Sequence, residues 1–119
     1  MKGTIKIYPR IDKILKNGMA PIELVYSVTN QRKYHNTGER IYPAYWNKEN
    51  QKAFYIPVRE AKKLFPGLDP DLLLTESEVN EINDKLVEIK KSIGEYEKDF
   101  IRKDISFSSQ MIIELLKSE

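Results

Sequence analysis

Up to residue 42 hydrophobic and polar side chains alternate, and beyond residue 75 the apolar positions recur at helical spacing, so the chain reads as a sheet followed by a helix. Thr4 to Tyr8 puts Ile5 and Ile7 on one side and Thr4, Lys6 and Tyr8 on the other, and Lys16-Asn17-Gly18 supplies turn chemistry before the next run. In the second strand Ile22, Leu24, Tyr26 and Val28 form the apolar side, with Glu23, Val25, Ser27 and Thr29 opposite. With Asn30-Gln31 as the central turn residues, Thr29 faces Arg32, Ser27 faces Tyr34, Tyr26 faces His35 and Val25 faces Asn36. One face then collects Ile5, Ile7, Leu24, Tyr26, Val28 and His35 as a core. The other collects Lys6, Tyr8, Ser27, Thr29, Arg32, Tyr34 and Asn36 as a polar, basic surface. Thr37-Gly38 ends the third strand, and the chain from Ile41 crosses the sheet edge so that Trp46 covers the apolar side.

A connector follows. Pro57 suits the first position of a short helix over Val58 to Phe65, stopped by Pro66-Gly67, and Asp69-Pro70 starts a further turn. Thr75-Glu76-Ser77-Glu78 has the form of a capping box opening a long helix. Its apolar stripe, Val79, Ile82, Leu86, Ile89, Ile93, Tyr96 and Phe100, either lies on the apolar sheet face or makes a seam through which the chain self-associates. Ser108 is an N-cap for a last apolar helix, with Phe107 and Ile112 as a hydrophobic staple. The fold class is α+β: a three-stranded antiparallel sheet packed against a long C-terminal helix, with short connecting helices.

Charge sharpens this picture because the near-neutral total hides an asymmetry. Residues 1–66 hold 13 Lys and Arg against 5 Asp and Glu, whereas residues 67–119 hold 7 against 13. The basic half is the sheet half. The length fits one domain able to fold unaided, and with no cysteine there is neither a disulfide framework nor a thiolate site. No signal peptide or membrane span is visible, and a cytoplasmic protein is the expectation.

Catalytic chemistry has little to stand on. His35 is the only histidine and sits mid-strand among hydrophobes, which favours packing over general-base work. Asp69-Pro70-Asp71 lacks the glycine and terminal Glu of a calcium loop, so no metal or other cofactor is expected. The acidic run Glu76, Glu78, Glu81, Asp84 and Glu88 reads as a solvated helix face. Nucleic-acid binding is better supported, since a β-ribbon fits the major groove. Here Lys6, Arg10, Arg32 and Lys33 suit phosphates, and Arg32, Asn36, Ser27 and Thr29 suit base edges, interleaved with Tyr8 and Tyr34. A basic sheet with aromatics also suits single-stranded RNA or DNA, and a plain protein-interaction module dimerising through residues 79–100 is the alternative from another class.

The order of the pieces narrows these options: K-x-N-G-x-x-P-I into the second strand, a basic hairpin tip, then T-G-x-x-I-x-P-x-x-W and a heptad-like helix. Through Lys16, Asn17, Gly18, Pro21, Ile22, Arg32, Lys33, Thr37, Gly38, Ile41, Pro43 and Trp46, the chain resembles the N-terminal arm-type DNA-binding region of phage-integrase-like tyrosine recombinases. The resemblance implies a three-stranded sheet backed by a helix, entering the major groove of arm-type duplex sites of a mobile element. It also implies that a core-binding and a catalytic domain belong to the same integrase and that this segment performs no catalysis itself. Residues 1–105 would be the arm domain, with the sheet over 3–50, a connector over 51–74 and the long helix over 75–102, and residues 106–119 would lead toward the core-binding domain. The expected contact face is Lys6, Tyr8, Arg10, Ser27, Thr29, Arg32, Tyr34 and Asn36, flanked by Lys13, Lys16, Lys33 and Arg40.

Overall fold

A computed structural model describes residues 2–119. Strands β1 (Thr4–Pro9), β2 (Ala20–Val28) and β3 (Gln31–Ile41) form an antiparallel sheet in the order β1-β2-β3. A small hairpin, β4 (Trp46–Asn47) with β5 (Lys52–Ala53), is followed by helices α1 (Val58–Leu64), α2 (Glu76–Arg102) and α3 (Ser109–Lys117). The class is α+β, as the hydrophobic pattern requires. In β2 the period-two alternation is complete: Ala20, Ile22, Leu24, Tyr26 and Val28 are all buried and the residues between them are not.

The β2–β3 register differs from the expected one. Val28 pairs with Gln31, so Thr29 and Asn30 are the central turn residues, with φ of 51° and 64°. Two successive positive φ angles are what a tight hairpin turn needs to match strand twist. Ser27 consequently faces Arg32, Val25 faces Tyr34 and Leu24 faces His35. A slip of two residues leaves every side chain on its expected face, because the strand period is two. It does remove Thr29 from the sheet face and place it in the turn.

Nor does Thr37-Gly38 end the third strand. Ala20 pairs with Ile41 and Pro21 with Arg40, and the extra β3 residues are absorbed in a bulge before Glu23 pairs with Asn36. Gly38, at φ 82°, takes a backbone conformation that suits only glycine well. Side chains satisfy the displaced backbone: Thr37 Oγ1 donates to the Ile22 carbonyl at 2.7 Å, the Gly38 amide donates to Asn36 Oδ1 at 2.9 Å, and the Glu39 amide donates to Thr37 Oγ1 at 3.2 Å.

The apolar sheet face is sealed by two helices. Ile7, Ile22, Leu24, Tyr26 and Val28 share one core with Val79, Ile82, Leu86 and Ile93 of α2 and Ile112, Ile113 and Leu116 of α3. The capping box expected at the start of α2 is formed, with the Glu78 amide donating to Thr75 Oγ1 and the Thr75 amide to Glu78 Oε1. At its end Asp104 is left-handed and the Ile105 amide reaches back to the Phe100 carbonyl, which turns the chain sharply into α3. Phe100 and Phe107 stack across that corner with centroids 5.6 Å apart. The connector closes the opposite end of the core: Phe65 packs against Tyr42 and Tyr45, and Ala61, Leu73 and Leu74 are buried.

Candidate nucleic-acid interface

With one sheet face sealed, the other is presented to solvent in three cross-strand rows. They are Thr4, Ser27 and Arg32; Lys6, Val25 and Tyr34; and Tyr8, Glu23 and Asn36. Lys6, Arg32, Tyr34 and Asn36 are exposed there, and Tyr34 keeps 53% of its surface accessible, so an aromatic face stands beside two cations.

Tyr8 and Arg10 are held differently. Tyr8 Oη donates to Glu23 Oε1 at 2.9 Å, and Arg10 donates to both Glu23 oxygens at 3.0 and 3.2 Å. Arg10 also forks onto Asp12 at 2.7 and 2.9 Å. Partial burial and the hydrogen bond to Glu23 push the Tyr8 phenol up to about 12, and the bond from Arg10 draws Asp12 down to about 2. Arg10 is therefore already paired with two carboxylates, and Glu23 is a face residue that the expected contact set omits. Alternation had placed Glu23 on this face, so its position was readable; its partnership with Tyr8 and Arg10 was not.

The remaining expected contacts scatter around this face. Lys13 lies in a single helical turn after β1 and Lys16 in the following loop, both exposed. Arg40 sits beyond the bulge, opposite Pro21. Lys33 pairs with Tyr26 and so belongs to the helix-covered face, although it stays exposed near the turn. Asn36 has its side-chain carbonyl engaged in the bulge, which leaves its amide nitrogen as the group for a ligand.

Trp46 is only half-buried: it packs against the core but also lines a groove of about 810 Å³ that runs along β1, so covering the apolar side is part of its role, not all of it. His35 is half-buried toward α3, and burial together with nearby Lys117 lowers its pKa. The heptad stripe of α2 is spent inside the chain's own core, with Ile89, Tyr96 and Phe100 packed against it. Among the described residues no group of acids and histidines could hold a metal, and no helix is long and apolar enough to cross a membrane.

The family model described as the arm DNA-binding domain covers residues 7–113. No curated protein and no solved structure matches the chain. Because the match runs from the middle of β1 to the middle of α3, it takes in the sheet, the hairpin and the helical backing together, and the chain belongs to the arm DNA-binding domain family.

Proposed function

We propose that the exposed face of the β1-β2-β3 sheet binds duplex DNA in the major groove and that the chain is the arm-binding part of a tyrosine recombinase, holding that enzyme on the ends of its element. The observation that carries this reading is the middle of the exposed face, where Lys6, Arg32 and Tyr34 pair with no carboxylate among the described residues while the opposite face is closed by α2 and α3. Arg32 suits a guanine edge, the Asn36 amide nitrogen an acceptor on a base edge, and Lys6 a phosphate. The integrase assignment is supported by the family match and by the motif order from Lys16 to Trp46.

Titration of a labelled random-sequence duplex at several salt concentrations tests the binding. With four to six phosphates neutralised, log K falls against log salt with a slope of roughly −4 to −5. Tight binding indifferent to salt would overturn the reading. An Arg…His-x-x-Arg…Tyr pattern in the coding sequence downstream of Glu119 would support the recombinase assignment, and a different downstream domain would remove it.

A further inference from the structure

The β4–β5 hairpin is too short to be stable alone, yet it is tied down from both sides. On one side Gln51, held at φ 51°, accepts the outward-facing Ile7 amide of β1 on Oε1 at 2.8 Å. On the other, Asn83 of α2 stands in for a neighbouring strand, accepting the Ala53 amide and donating to the Ala53 carbonyl, each at 2.8 Å. The fixed hairpin forms the far wall of the groove along β1, whose near wall is the exposed sheet face.

The chemistry of that groove selects its occupant. Lys6 and Arg32 line it from the sheet and Lys48 from the hairpin, and among the described residues no carboxylate does, in a chain with 18 acidic residues. Trp46, Tyr8 and Tyr34 add flat apolar surface. A peptide strand adding to β1 is disfavoured, because the Ile7 amide is already bonded and Pro9 has none to offer. A largely apolar groove whose charged lining residues are all cations, with aromatic walls, fits a sugar–phosphate strand.

We infer that the β4–β5 hairpin is a second wall of the DNA site: Lys48 contacts the phosphates of one strand of a bound duplex, and Trp46 packs on the sugars of that strand. This rests on the sheet-face reading above. Trp46 is the only tryptophan, so its emission reports the groove directly.

The test uses the whole chain and a short duplex enriched from a random-sequence pool by the unaltered protein. Lys48→Ala is expected to weaken binding about 5-fold and to make the salt slope shallower by about 1, without changing sequence preference. Lys91→Ala, an exposed change on α2, is the charge control, and duplex should change Trp46 emission saturably with the same midpoint as binding. If Lys48→Ala matches Lys91→Ala, or Trp46 emission is unmoved at saturation, while Arg32→Ala still loses affinity, the hairpin wall is overturned and the sheet face stands. Loss in Lys48→Ala with no loss in Arg32→Ala overturns the sheet face and, with it, the two-walled site. A single-stranded oligonucleotide of the same sequence competing as well as the duplex overturns the assignment to duplex DNA.

Discussion

Tyr26 and Glu97 meet inside the protein: the phenol at the centre of β2 donates to Glu97 Oε2 at 2.6 Å, and the Gly3 amide donates to the same oxygen at 2.7 Å. One carboxylate on α2 thereby ties the start of β1 to the middle strand and both to the helix. Glu97→Ala strands the buried Tyr26 phenol, at a cost of about 1–3 kcal/mol, and leaves the part-buried Gly3 amide without its acceptor. A fall of roughly 5–10 °C in Tm is expected by calorimetry, with a smaller fall for Glu97→Gln, which keeps an acceptor. Gly3→Ala should also destabilise, because an added Cβ would lie 2.5 Å from the Tyr26 ring.

His35 makes stability depend on pH in one direction. Burial lowers its pKa in the fold below the ordinary 6.5, and its Nδ1 has no hydrogen-bond partner among the described residues, so the folded state binds the proton less readily than the unfolded chain. Stability from this group is complete above about pH 6.5 and is lost as pH falls through the folded pKa. Urea midpoints should therefore decline from pH 7 to pH 5, and His35→Gln should flatten that decline. It is the sole histidine, the side chain type whose ordinary pKa falls in that window.

Leu86 separates the two readings of the heptad stripe. It is 2% exposed in the chain's own core, so Leu86→Glu buries an unpaired charge and should cost about 3 kcal/mol or more. The expected outcome is an unfolded chain by circular dichroism. A folded monomer replacing a dimer in sedimentation would instead make the stripe a seam between chains.

Glu23 is the negative spot in the exposed face. Glu23→Gln removes a carboxylate shared by Tyr8 and Arg10, leaving Arg10 with Asp12 alone. Affinity for duplexes of any sequence should rise about 3–10-fold, with a salt slope steeper by up to about 1. Unchanged affinity in fluorescence titration would place Glu23 outside the interface.

Arg32 and Lys33 are neighbours in sequence and point to opposite faces. Arg32→Ala is expected to lower duplex affinity about 10-fold and Lys33→Ala less than about 2-fold, each within about 0.5 kcal/mol of the original stability. Equal losses would mean that charge near the turn, rather than one face, attracts DNA.

Alternation and helical spacing decided most of the fold before any contact was known, because each side chain's face follows from strand and helix period. The core residues of β2, the capping box at Thr75 and the N-cap at Ser108 are local chemistry and were legible in the sequence alone. The two-residue slip at the hairpin was not, since Thr29-Asn30 and Asn30-Gln31 leave the same side chains on the same faces and only backbone torsions distinguish them. Tertiary structure alone decided that Arg10 is shared between Asp12 and Glu23, that Glu97 lies under Tyr26, and that Gln51 and Asn83 hold a hairpin between β1 and α2. Those partners are distant in the chain or set by loop paths, and periodicity says which way a side chain points, not what stands opposite it.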